Sequence, residues 1–138
     1  MKKPLTALCF GAACLAAMAG AADAFNGRRG TRVNPVDANI FEVVARSAGS
    51  GADYWCGAGD YAQRALRAAW TARIYIVQGR APSVTTGRRS AVQFTLNPGA
   101  AGVTPLEGNV WSLNAMKPGD SMSVQQAQSY CAREPVRS

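Results

Sequence analysis

The residues with the clearest chemical potential surround Cys56, where the chain reads Asp-Tyr-Trp-Cys-Gly-Ala-Gly-Asp-Tyr. A cysteine at the start of a helix can have a lowered pKa and act as a nucleophile. Such a nucleophile is normally activated by a neighbouring base, and the chain contains no histidine. No Cys-x-x-Cys redox motif is present either. The pattern therefore favours a structural role for Cys56 over catalysis or redox exchange.

A structural partner for Cys56 is available at Cys131. The other two cysteines, Cys9 and Cys14, lie in an N-terminal segment that we expect to be removed. In an oxidising compartment, the remaining even pair is typical of a disulfide. We therefore predict that a Cys56–Cys131 disulfide stabilises the domain.

Residues 1–24 have the composition of a secretory signal peptide. Two lysines precede an apolar run over residues 5–20, and Ala22-Asp23-Ala24 offers the small-x-small pattern of a cleavage site. The run is shorter than the ~20 residues that span a bilayer, so no stable membrane span is expected. We predict cleavage before Phe25 and export to the periplasm or to the outside of the cell.

The expected mature chain divides into three parts. Residues 25–39 are rich in glycine, proline and arginine without apolar periodicity, which predicts a flexible basic arm. Residues 40–131 combine alternating strand patterns with two helical stretches. They predict a single α+β domain, with a small antiparallel sheet of three or four strands, two helices on one face and one disulfide. Residues 132–138 are expected to form a frayed tail.

The first helix is predicted over residues 58–70, where apolar residues recur at helical spacing. Asp60 and Gln63 resemble a capping box at its start, and Asp53 is the alternative cap if the helix begins earlier. A second, shorter helix is predicted before Cys131, with Ser123 and Gln126 as its capping box.

Arginine supplies nearly all the positive charge of the expected mature chain. Twelve arginines and Lys117 face seven acidic residues, a net charge of +6. Guanidinium groups bind carboxylates and phosphates in bidentate geometry. Arg80, Arg88 and Arg89 fall in one predicted hairpin loop, which we interpret as an anion-binding site. The alternative is that these arginines are only solvated. Nucleic acid is not expected as a partner, because no aromatic residues are interleaved with the basic ones.

Other chemistries have less support. Without histidine, and with both cysteines assigned to a disulfide, no metal site and no cofactor are predicted. Gly57-Ala-Gly59 precedes a helix, but it does not directly follow a strand, and a dinucleotide-binding motif would also need an acidic residue ~20 positions further on. No catalytic residue is assigned. Carboxylates such as Glu42, Asp53 and Asp60 would be the candidates if two of them converged in a hydrolase site.

Four segments resemble parts of short secreted bacterial proteins that carry no assigned function. They are F-E-V-V (41–44), Y-W-C-G-A-G-D-Y-A (54–62), T-G-R-R-S-A-V-Q-F-T-L (86–96) and G-D-S-M-S-V-Q-Q-A-Q-S-Y-C (119–131). The resemblance implies no activity and no catalytic residues. It agrees with the placement of Cys56 and Cys131 in the mature domain.

The sequence thus predicts an exported, non-enzymatic binding or envelope-associated protein. Its expected partner is an anionic envelope component or an acidic protein, engaged through the arginine-rich loops. One alternative is a carboxylate-dependent hydrolase or lyase that acts on an envelope polymer. Another is an inhibitor or accessory subunit of an acidic partner protein.

Overall fold

A computed structural model of the protein describes residues 25–46, 49–88, 90–108 and 112–132. The predicted signal peptide (1–24), Arg89 of the predicted anion-binding loop and residues 133–138 of the predicted tail lie outside these ranges. Within them, no helix is both long enough and apolar enough to cross a membrane.

The fold combines an antiparallel sheet with helices. The strands are β1 (Phe25–Asn26), β2 (Arg32–Pro35), β3 (Phe41–Val44), β4 (Arg73–Ala81), β5 (Ala91–Thr95) and β6 (Ser121–Ser123). They lie in the order β1-β2-β3-β5-β4-β6, and each neighbouring pair is antiparallel. The α-helices are α1 (Gly51–Arg64), α2 (Pro98–Ala101) and α3 (Val124–Ser129).

The predicted α+β class is confirmed, but the prediction of three or four strands is wrong, because the sheet has six. Strands β1 and β2 come from the segment that was expected to be a flexible arm. Val33 is fully buried in β2, opposite Val43 of β3, while the residues beside it are polar or proline. A strand is recognised in a sequence by apolar residues at alternate positions. Strand β2 has a single buried apolar residue, so it shows no such alternation.

The core lies between one face of the sheet and helices α1 and α3. Apolar side chains from β2 to β6 and from both helices form one buried cluster. In β5, Val92 and Phe94 belong to this cluster, while Gln93 between them is half-buried. Trp55 of α1 packs against Phe94 with ring centroids 5.1 Å apart. The opposite face of the sheet is therefore free to hold polar groups.

Helix α1 begins at Gly51, well before the predicted residue 58. Ser50 is its N-cap: its hydroxyl accepts from the backbone N–H of Asp53, and the Asp53 carboxylate accepts from the backbone N–H of Ser50. The predicted cap at Asp60 is wrong, since Asp60 lies in the third turn and is fully buried. The sequence placed the start of α1 too late because the helix contains several glycines. Glycine in a helix interior normally lowers helix stability by ~1 kcal/mol relative to alanine.

Close packing of α1 against α3 brings the two cysteines together. A Cβ atom at Gly59 would lie 2.8 Å from the Ala127 Cβ and 2.8 Å from the Gln128 backbone nitrogen, so this approach requires glycine. The Cα atoms of Cys56 and Cys131 are 4.9 Å apart, and their side chains form the predicted disulfide. The link joins residues 75 positions apart and so encloses most of the domain.

Removal of the disulfide should strongly destabilise the fold. Replacing both Cys56 and Cys131 by serine should lower the free energy of unfolding by about 4 kcal/mol, because a crosslink over so long a loop restricts the unfolded chain. Urea unfolding of the double variant, compared with the oxidised and reduced parent, measures the loss. A double variant as stable as the oxidised parent would contradict the structural role.

The contact at Gly59 predicts a second loss of stability. Gly59→Ala should lower the free energy of unfolding by about 1–3 kcal/mol, because the added methyl group must displace helix α3. The matched control is Gly99→Ala, whose Cβ would meet only the Asn97 Oδ1 atom at 3.8 Å. Thermal unfolding of the two variants should show a clear drop for the first alone; equal effects would mean that α3 moves away freely.

Candidate functional site

A pocket of about 440 Å³ opens beside the C-terminal end of β3. Its walls are the turn between β1 and β2, the end of β3 and the loop between β4 and β5. The lining residues are Asn26, Gly27, Gly30, Thr31, Arg32, Val44, Arg46, Thr86 and Arg88. Three of these residues are arginines and none is acidic, so we call this cavity the arginine pocket.

Each arginine reaches the pocket from a different segment of the chain. Arg32 begins β2 and pairs with Val44 of β3. Arg46 follows the end of β3 by two residues. Arg88 lies in the loop between β4 and β5, and its guanidinium makes a long hydrogen bond of 3.4 Å to the Arg46 carbonyl. Pairing within the sheet therefore gathers charges that are far apart in sequence.

The positive charges of the arginine pocket have no internal counter-charge in the described part of the chain. The ion pairs found there involve other arginines: Arg28 and Arg64 with Asp60, and Arg29 with Asp53. The guanidinium groups that line the pocket are thus available to an external anion, for which charge-assisted and bidentate hydrogen bonds are the strongest kind.

The structure separates the arginines that the sequence grouped into one site. Arg88 lines the pocket and Arg89 lies outside the described residues, whereas Arg80 is not among the lining residues. The Arg80 guanidinium donates to the Asn114 carbonyl at 2.5 Å and to the Gly49 carbonyl at 3.3 Å. It also lies over the Tyr54 ring, 5.3 Å from the centroid. Arg80 therefore ties β4 to the segments before α1 and β6.

Arg32 and Arg46 are the pocket arginines that lie outside the predicted anion-binding loop. Neither lies near Arg88 along the chain; the pairing of β2 with β3 and of β3 with β5 brings them together. Since β2 itself was not predicted, no pattern in the sequence pointed to this convergence.

A buried carboxylate holds the loop that carries Arg88. Glu42 is fully buried, and it alternates along β3 with core residues, so it lies on the face opposite the helices. Its carboxylate accepts from the Ser83 hydroxyl at 2.5 Å, the Val84 N–H at 3.1 Å and the Thr85 N–H at 3.0 Å. The Thr85 hydroxyl donates a fourth hydrogen bond. The loop is thereby fastened to the sheet.

The same hydrogen bonds keep Glu42 charged. Burial raises the pKa of Glu42, but the hydrogen bonds from Ser83, Thr85 and Val84 together hold that pKa below its ordinary value of 4.5. Thr86, which lines the arginine pocket, donates from its hydroxyl to the Ser83 hydroxyl at 2.8 Å. Ionised Glu42 thus positions one wall of the pocket through the loop.

The opposite wall is fastened to helix α1. The backbone N–H of Arg28 donates to the Asp60 carboxylate at 3.1 Å, and the Arg29 side chain donates to the Asp53 carboxylate at 2.6 Å. Burial raises the pKa of Asp53, but hydrogen bonds and the Arg29 charge lower it below its ordinary value of 3.8. Two carboxylates of the helix therefore fix the turn between β1 and β2.

Loss of the Glu42 charge should release the loop. Glu42→Gln should lower the free energy of unfolding at neutral pH by about 1–3 kcal/mol, because the amide leaves loop donors without an acceptor. Since the pKa of Glu42 is lowered on folding, its stabilisation is fully present above pH 4.5 and is lost as the pH falls further, through the lowered pKa.

The difference in stability between the parent and Glu42→Gln should therefore shrink below pH 4.5. Urea unfolding at a series of pH values tests this, with the exposed Glu107→Gln as the matched control. A difference that stays constant with pH would show that shape, not charge, is what Glu42 contributes.

Comparison of the chain with protein-family models, with curated proteins and with solved structures finds no match. What the protein does must therefore be inferred from its own pocket, charges and contacts.

Proposed function

We propose that the protein is an exported, non-enzymatic binding protein that holds an anionic ligand in the arginine pocket. The observation that carries the proposal is the convergence of Arg32, Arg46 and Arg88 on one cavity whose lining has no carboxylate. Three unneutralised guanidinium groups around a concave site favour phosphate or carboxylate groups over neutral ligands. The disulfide and the signal-like N-terminal sequence support a place outside the cytoplasm.

The shape of the site favours a group on an envelope component over the flat face of an acidic protein. Its volume of about 440 Å³ lies within the range of ~300–1,000 Å³ typical of small-molecule sites. Thr86 and Asn26 add neutral polar side chains to the lining, and Gly27 and Gly30 expose backbone. A phosphorylated or carboxylated end group of an envelope molecule fits this combination of charge, polarity and concavity.

The carboxylates support binding over carboxylate-dependent hydrolysis. Hydrolysis of a glycoside needs two carboxyl groups that face each other across a substrate cleft. Glu42 is fully buried and accepts four hydrogen bonds from its loop. Asp60 is fully buried beside Arg64, and Asp53 pairs with Arg29. These groups hold the walls of the pocket and do not line it.

Neutralisation of a pocket arginine should weaken anion binding. Inorganic pyrophosphate serves as the probe, since it presents two linked phosphate groups to the guanidinium cluster. Arg46→Gln or Arg88→Gln should each weaken its binding at least tenfold, because a hydrogen bond to a charged group contributes about 1.5–3 kcal/mol. Isothermal titration calorimetry at low ionic strength measures the affinity.

The matched control for this experiment is Lys117→Gln, which removes an exposed cation that does not line the pocket. Its affinity for pyrophosphate should equal that of the parent. Equal losses in all three variants would assign binding to net charge alone, and no binding by the parent would leave the arginine pocket without an anionic ligand.

A further inference from the structure

The end of the molecule opposite the arginine pocket exposes apolar side chains. The arginine pocket lies at the C-terminal end of β3, whereas Ile40 and Phe41, at the other end of β3, line a second groove together with Leu66. Leu66 is 43% exposed and Trp70 is 49% exposed. Both lie in the segment between α1 and β4, which enters the sheet beside the end of β5. We call residues 64–70 the Leu66–Trp70 surface.

An unpaired cation lies within this surface. Arg64 and Arg67 both belong to it; Arg64 pairs with Asp60, whereas Arg67 forms no ion pair with the described residues. Asp37 lines the adjoining groove, but its carboxylate is turned to the backbone N–H groups of residues 39 and 40 at 2.7 and 2.9 Å. The surface therefore combines exposed apolar area with the unpaired charge of Arg67.

Arg67 occupies a backbone conformation that disfavours it. Its φ is 58°, in the left-handed region that glycine adopts most readily. The Ala68 N–H donates to the Ala62 carbonyl at 2.9 Å, which closes the end of α1. Glycine is favoured at a left-handed position that ends a helix, so an arginine here lowers stability.

Among the described residues, no partner of the Arg67 side chain explains this position. The described part of the chain has two other non-glycine residues with positive φ, Arg29 and Met116. Arg29 pairs with Asp53, and Met116 is buried in the core cluster. The exposed Arg67 side chain makes no hydrogen bond or ion pair with the described residues. A cation kept at an unfavourable position without an internal partner indicates an external anion.

We propose that the Leu66–Trp70 surface docks the protein on an anionic lipid surface. Tryptophan and leucine bury favourably at the boundary between headgroups and acyl chains, and arginine attracts the phosphates of anionic lipids. Charge complementarity selects this partner, since the exposed Leu66 and Trp70 share one short segment with Arg67, which forms no ion pair with the described residues. In this orientation the arginine pocket, at the opposite end of β3, faces away from the lipid.

Co-sedimentation with large unilamellar vesicles tests the proposal. The exported protein should bind vesicles of phosphatidylcholine mixed with phosphatidylglycerol and should not bind phosphatidylcholine alone. Arg67→Gly should weaken binding about fivefold, the factor that corresponds to about 1 kcal/mol for one basic residue near an anionic surface. The same variant should melt at a higher temperature than the parent, because glycine relieves the left-handed backbone.

Two further variants complete the test. Combined Leu66→Ser and Trp70→Ser should abolish vesicle binding with an unchanged circular dichroism spectrum. Val84→Ser, at a residue 63% exposed in the β4–β5 loop, and Arg88→Gln are the matched controls and should bind like the parent.

Vesicle binding lost in Arg88→Gln would assign the lipid to the arginine pocket and overturn the proposal. Equal binding to charged and uncharged vesicles, or binding to neither, would also overturn it and leave a protein partner as the occupant of this surface. Pyrophosphate affinity, measured separately, tests anion binding in the arginine pocket whether or not the protein binds vesicles.

Discussion

The buried negative charge of Glu42 is the constraint on which the arrangement of the pocket depends. A carboxylate without partners inside a protein is strongly unfavourable, so it must be hydrogen-bonded or protonated. The loop after β4 supplies four donors, and it can do so only by folding onto the face of the sheet opposite the helices. That same fold carries Arg88 to Arg46. The stability of the sheet and the geometry of the pocket therefore share one interaction.

Acidic and basic residues have different uses in this protein. Glu42, Asp53 and Asp60 are all engaged by backbone N–H groups as well as by side chains, and each fastens one segment to another. The arginines outnumber these internal acids. Arg32, Arg46 and Arg88 lie at one end of β3, and Arg67 follows Leu66 of the groove at the other end. One end is concave and polar, which suits a small anionic group. The other end exposes apolar side chains, which suits a surface that can accept them.

The sequence predicted those features that depend on local pattern or on elimination. The disulfide followed from the two cysteines left outside the signal-like segment, and the α+β class followed from the alternating and helical patterns. Strand β2 was missed because its single buried residue, Val33, leaves no period to detect. Arg80 was grouped with Arg88 by nearness in sequence, although Arg80 lies within a strand and Arg88 in the loop after it. Arg32 and Arg46 required knowledge of strand pairing, which is a property of the whole fold.

If the protein is exported, as we propose, the long span of the disulfide affects the order of its folding events. A chain that crosses a membrane from its N-terminus presents Cys56 first and then 75 further positions before Cys131 arrives. No other cysteine lies between residue 15 and residue 138, so no third thiol in that part of the chain competes with Cys131 for Cys56. The strands up to β6 can therefore pair before the crosslink forms. In an exported chain, oxidation would then stabilise a sheet that can assemble without it.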